Sequence, residues 1–169
     1  MKELLELEMH SSVYVSPIGK ILLESDGEHL VALRFVDEEM APPALEFAEA
    51  DPVLEQTARW LDDYFSGRIP SFTPPLLLRG TPFRMTVWDL LKAIPYGATV
   101  SYADIARQIA VRRGISRMSA QAVGGAVGHN PIAIIVPCHR VIGSDGSLTG
   151  YAAGLDRKRS LLDLERGQR

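Results

Sequence analysis

Residues 101–128 read SYADIARQIAVRRGISRMSAQAVGGAVG. Ser101 with Asp104 three residues on is a capping box, which satisfies two free backbone amides and opens a helix through YADIARQIA. A loop carrying Arg112, Arg113 and Arg117 follows. A second helix then runs through about MSAQAVGGAVG. Two short helices joined by a turn form a helix-turn-helix candidate, although any helical hairpin reads the same way. The second helix is nearly bald, with Ala120, Ala122, Gly124, Gly125 and Ala126. Each glycine costs about 1 kcal/mol relative to alanine in a helix interior, so the pair needs a reason. Tiny side chains let a helix backbone approach another surface closely, either a packed neighbour or the floor of a DNA groove. Such a helix is poorly equipped to read base edges, which needs long polar side chains. It suits sequence-tolerant packing on sugar-phosphate walls, with nearby arginines holding phosphates.

Upstream, Thr81 caps a helix with Pro82 at its first position, and Phe83, Val87, Leu90 and Leu91 give it an apolar face. Pro95-Tyr96-Gly97 ends it. The first half of the chain reads differently. SVYVS, KILLES and HLVALRFV are apolar, β-branched runs separated by Pro17-Ile18-Gly19 and Asp26-Gly27, which predicts short strands in hairpins. An acidic loop over 37–50 contains Pro42-Pro43. Asp51 caps a helix with Pro52 at its first position, running to Gly67. The Pro-rich IPSFTPP then closes the first unit as a linker.

The chain has 169 residues and 46% hydrophobic content, enough for one generous core or two small ones. No stretch approaches the roughly 18 apolar residues of a membrane span. The N-terminal MKELLELEMH alternates acids with leucines and lacks the apolar region of a signal peptide. With a single cysteine there is no internal disulfide, and a lone thiol fits a reducing cytoplasm. The four histidines are scattered without metal-ligand spacing, so neither metal nor cofactor is expected. Net charge is −3, but residues 1–80 carry 6 Lys and Arg against 15 Asp and Glu, and residues 81–169 carry 12 against 6. Only the second half would attract a polyanion.

The chemistry centres on 132–142, IAIIVPCHRVI. An apolar β-branched run predicts a buried strand that delivers Cys138, after which His139 and Arg140 follow at once. A free cysteine is ordinarily buried and inert. Reactivity needs surroundings that favour thiolate, and a base and a permanent cation are adjacent here. A cysteine hydrolase is disfavoured, because its histidine comes from a distant segment.

Pro137-Cys138-His139-Arg140, preceded by Gly128-His129-Asn130-Pro131 and followed by Gly150-Tyr151, resembles the acceptor-site signature of the O6-alkylguanine-DNA alkyltransferases. The resemblance continues through Phe83-Arg84-Met85-Thr86-Val87-Trp88, Ile94-Pro95-Tyr96-Gly97, Ser101-Tyr102, Ala122-Val123-Gly124-Gly125 and Arg157-Lys158-Arg159 to the Leu161–Glu165 helix. It implies an α/β, ribonuclease-H-like N-terminal domain over 1–75, with a small antiparallel sheet plus helix. A mostly α, winged helix-turn-helix-like domain over 76–169 would bind DNA and accept the alkyl group. By this resemblance Cys138 attacks the alkyl carbon of O6-alkylguanine flipped out of duplex DNA. His139 acts as base through a water and is oriented by Glu165. Tyr102 donates a proton toward the departing guanine, and Asn130 braces the turn carrying the cysteine. Val136 and Tyr151, Ala152, Ala153 and Gly154 offer backbone groups and a wall for the base.

The DNA-facing set is Gln121, Ala122, Gly124, Gly125, Arg112, Arg113, Arg117 and Arg140. Gln121 stands where the family carries an intercalating arginine, and it can hydrogen-bond an orphaned base but brings no charge. Zinc-binding relatives use cysteines in the first domain, where this chain has none. The partner implied is duplex DNA containing O6-alkylguanine, met by a monomer in the cytoplasm. A thioether has no good leaving group and no second thiol is present, so the protein turns over once. Two other readings remain. A relative that recruits repair factors to alkylated DNA without reacting would lack Cys138. A small transcription regulator would read sequence, for which the bald helix is ill suited.

Overall fold

The computed structural model describes residues 8–39 and 50–167. It divides into two compact units, Met1–Leu77 and Leu78–Arg169. Residues 1–7 of the N-terminal segment and 40–49 of the acidic loop lie outside the described residues.

In the first unit, β1 (His10–Ser16), β2 (Gly19–Ser25) and β3 (Leu30–Val36) form an antiparallel meander in that order. Only Pro17 and Ile18 separate β1 from β2, and Gly19 supplies the positive φ of 132° that closes the turn. Helix α1 (Pro52–Phe65) starts where Asp51 accepts from the amides of Val53 and Leu54. It buries Val53, Leu54, Trp60, Leu61 and Tyr64, and it packs on the sheet strands, whose Ile21, Leu23, Leu30 and Leu33 are buried with them. The Pro-rich segment is more than a connector. Leu30 donates to Pro75 O and Leu77 donates to Leu30 O, so the segment lies as a parallel bridge beside β3.

In the second unit, α2 (Pro82–Lys92) is capped by the Thr81 hydroxyl, which accepts from Arg84 N at 3.2 Å. Its buried face is Val87, Trp88, Leu90 and Leu91, with Trp88 taking the place expected of Phe83. The capping box at Ser101 and Asp104 opens α3 (Tyr102–Arg113), and Gly114 in the left-handed region ends it. Ser119 caps α4 (Ala120–Gly128), whose Val123, Ala126 and Val127 are buried. Helix α4 packs on α2 and α3, and Trp88 Nε1 donates to Ala126 O at 2.9 Å. The parallel pair β4 (Val100–Ser101) and β5 (Val141–Ile142), and helix α5 (Leu155–Glu165), complete the unit.

The apolar run 132–136 is not a strand. Val136 N reaches back to Ile132 O at 3.1 Å, Ile135 N reaches Ala133 O, and Ile134 adopts a φ of +67°. A β-branched residue in that region costs about 1–3 kcal/mol. Burial of Ile132, Ile134 and Val136 at 1% exposure or less pulls against that strain. The residues are apolar because they fill the core, not because they pair in a sheet.

Candidate active site

Asn130 builds the loop that presents the cysteine. Its side-chain oxygen accepts from Ile132 N at 3.0 Å and its amide donates to Val136 O at 2.8 Å, so one residue holds both ends of the 132–136 turns. Pro137 follows, and Cys138–Arg140 make a single 3-10 turn. His139 therefore does not extend oppositely from Cys138 as it would on a strand. Cys138 is 7% exposed and is the one free thiol.

Behind the cysteine lies a buried charge cluster. His139 Nε2 and Glu165 Oε2 are 2.5 Å apart, and His139 is fully buried. Arg140 Nε donates to Glu165 Oε1 at 2.6 Å and Arg140 Nη1 donates to Ile94 O at 2.7 Å. Gly97 N also donates to Glu165 Oε1, at 3.2 Å. One carboxylate at the end of α5 thus gathers the residue after the cysteine, the residue after that, and the turn that ends α2. An ionised Glu165 requires the proton of neutral His139 on Nε2, which leaves a lone pair on Nδ1. That Nδ1 is buried with no protein partner. Burial pushes the His139 pKa below its ordinary 6.5, with Glu165 acting the other way.

Burial also pushes the Cys138 thiol up. Against it act the Asn130 side chain, the Lys158 ammonium and the backbone amides of Cys138 and His139, all of which favour thiolate. Tyr102 is half-buried, and its hydroxyl lies 3.0 Å from Thr149 O and 3.4 Å from Gly150 O. Burial and the neighbouring Cys138 hold its phenol protonated above the usual range. Tyr151 has a buried hydroxyl without a partner, and burial and Cys138 likewise raise it. Gly154 N donates to Tyr151 O at 2.9 Å, closing the 151–154 turn, where Ala152 and Gly154 are exposed.

Two residues stand elsewhere than the sequence suggests. Arg140 does not face solvent for a phosphate, because it is 8% exposed and its guanidinium is committed to Glu165 and Ile94. Val136 has no free backbone group for a base, since its carbonyl accepts from both Asn130 and Cys138 N and its amide donates to Ile132. Lys158, which the sequence offers only as the middle of the Arg157-Lys158-Arg159 run and without a role, is fully buried. Gln121, Ala122 and Gly125 are exposed along α4, with Gly124 half-buried. Arg112, Arg113 and Arg117 are exposed before it, and Arg113 lies 5.4 Å over the Phe83 ring. Among the described residues no cluster of His, Cys, Asp or Glu could hold a metal ion, and no helix is long and apolar enough to cross a membrane.

Residues 82–167 match the family model of the 6-O-methylguanine DNA methyltransferase DNA binding domain, and residues 9–78 match that of its ribonuclease-like domain. The methylated-DNA–protein-cysteine methyltransferase of Mycobacterium tuberculosis is 44% identical over 160 residues, covering 95% of this chain and 94% of that one. Its counterpart in Methanosarcina acetivorans is 44% identical over 158 residues, covering 93% and 98%. Among solved structures, the Mycobacterium tuberculosis O6-methylguanine methyltransferase superposes with a TM-score of 0.80 at 44% identity, covering 96% of this chain and 95% of that one. A crystal structure of Mycobacterium tuberculosis OGT in complex with DNA gives 0.78 at 45% identity, covering 94% and 93%.

Proposed function

This chain belongs to the 6-O-methylguanine DNA methyltransferase family, and from that membership and the geometry of its site we infer that it repairs DNA by moving the alkyl group of O6-alkylguanine onto its own Cys138. The observation that carries the reading is the sole thiol placed beside a histidine whose Nε2 is fixed on Glu165 and whose Nδ1 is free to take a proton. A buried nitrogen without a partner is costly. A water joining it to the sulfur would satisfy it and carry the thiol proton to His139, with Glu165 stabilising the imidazolium while it lasts.

The sulfur then forms its bond to the alkyl carbon as the carbon–O6 bond breaks. The electron pair stays on the departing guanine, and Tyr102, exchanging its backbone carbonyl for the base, gives that guanine a proton. Asn130 holds the turn, while Tyr151, Ala152, Ala153 and Gly154 wall the base. Because the thiol is buried, a base stacked in a duplex is out of reach and has to be flipped out, at a cost of a few kcal/mol. The exposed bald face of α4 and the arginines before it suit the sugar-phosphate walls. The protein works as a monomer in the cytoplasm on duplex DNA and requires no cofactor.

Intact mass after incubation with a duplex containing O6-methylguanine tests this reading. The wild-type chain should gain one methyl and no more, and Cys138→Ser should gain none while still binding the duplex. A methyl on Cys138→Ser would move the acceptor elsewhere. Binding by the wild type without any mass gain would favour a module that recognises alkylated DNA and leaves the chemistry to others.

A further inference from the structure

Lys158 lies on α5 with its side chain fully buried. A buried ammonium without a countercharge is costly, so the position calls for an anion. Its Nζ donates to Thr149 O at 2.9 Å and sits 5.7 Å from the centroid of the Tyr102 ring. The Tyr102 hydroxyl donates to the same carbonyl. Among the described residues no carboxylate pairs with Lys158. Glu165, on the same helix, already serves His139 and Arg140. The group that answers Lys158 electrostatically is Cys138, and the favour is mutual: the ammonium favours thiolate and the thiolate favours ammonium. Lys158 and Arg140 both oppose a positive charge on His139.

We propose that Lys158 is the cation that stabilises the Cys138 thiolate as it forms, a positioning residue that lowers the cost of ionising the buried acceptor sulfur. The thiol proton passes through His139 and on to bulk water as the sulfur ionises, and the anion so formed faces the lysine ammonium rather than an imidazolium. This deepens the reading of Cys138 as acceptor and rests on it.

The thiol can be titrated without DNA by its thiolate absorbance in the ultraviolet, with Cys138→Ser as the blank. An opposite charge nearby shifts a pKa by about 1–3 units. Lys158→Met should therefore raise the apparent thiol pKa by at least about one unit, a loss of about tenfold in thiolate at neutral pH. Lys158→Arg should restore most of it. Single-turnover transfer by Lys158→Met should fall by the same factor at neutral pH and recover as pH rises, which a merely structural defect would not do. A second measurement leaves the lysine in place and decides the matter where Lys158→Met fails to fold. The Lys158 ammonium, followed by NMR, should titrate at lower pH in Cys138→Ser than in the wild type. An unmoved thiol titration in Lys158→Met, or an unmoved Lys158 titration after loss of the thiol, overturns the pairing. Normal charge coupling in a protein that takes no methyl from DNA would instead leave the pairing intact and refute the acceptor reading.

Discussion

Buried His139 sets a pH limit on the folded protein. Its folded pKa lies below 6.5 while the unfolded chain titrates near the ordinary value, so the unfolded state binds more protons between the two. Stability that is complete above 6.5 is therefore lost as pH falls from 6.5 through the depressed folded value. Melting temperature should drop across that window in the wild type and much less in His139→Gln, and a flat wild-type curve would contradict the burial argument. Cys138 acts at the opposite end, since its folded pKa is raised and its contribution is lost as pH rises from 9.0 through the higher folded value. Gln121 raises a separate question, because it is exposed on α4 between two alanines. If it enters the stack vacated by the flipped guanine, Gln121→Ala should slow repair in duplex DNA several-fold, as expected for a hydrogen bond of about 0.5–1.5 kcal/mol. Free O6-alkylguanine base needs no flipping and should react at the wild-type rate. Equal single-turnover rates on the duplex would assign the role to another side chain, with Arg117 next in line. The roles of Arg140 and Lys158 were not legible in the sequence, because what they touch lies far along the chain. Arg140 meets Ile94 and Glu165, and Lys158 answers Cys138, whereas any local reading of a basic residue in a helical domain sends it to solvent.

Helix α4 trades its own stability for closeness. A β-carbon added at Gly125 would meet nothing within 4 Å, so the residue is small for no reason internal to the fold. Gly125→Ala should stabilise the protein by about 1 kcal/mol through helix propensity alone. The same methyl stands on the face proposed to meet DNA, so duplex affinity should fall as the melting temperature rises. If both rise together, that face does not meet the groove. Gly124 differs, since its β-carbon would sit in ordinary contact with the Tyr102 ring, 3.8 Å away. At this scale the sequence was most readable where structure is local. Asp51, Thr81 and Ser101 each bind an amide two or three residues on, and each starts the helix that its spacing predicts. It misled at 132–136, where a β-branched run suggests a strand. The side chain of Asn130 competes for those backbone groups and folds them into turns. Apolarity reports burial, and it cannot say whether the buried backbone is extended.

Across the whole molecule, the sign of the charge separates the two units: residues 81–169 hold 12 of the 18 basic residues and 6 of the 21 acidic ones. Duplex affinity should accordingly fall steeply with salt, each neutralised phosphate adding about 0.9 to the slope of log affinity against log salt concentration. Single replacements of Arg112 or Arg117 by alanine should each reduce the slope by about that amount. An affinity indifferent to salt would show that the basic unit is not the DNA face. The seclusion of Cys138, 7% exposed and the one thiol in 169 residues, reaches further than a single repair event. A molecule that can be marked at one atom, once, and only after a lesion has been delivered to that atom, is a memory element with two states. A population of such molecules integrates past exposure: the marked fraction records how many lesions were met, and the unmarked fraction is the capacity left. The spectrum of adduct masses on the purified pool would then also record which alkylating agents the cell had encountered, long after the DNA itself had been restored.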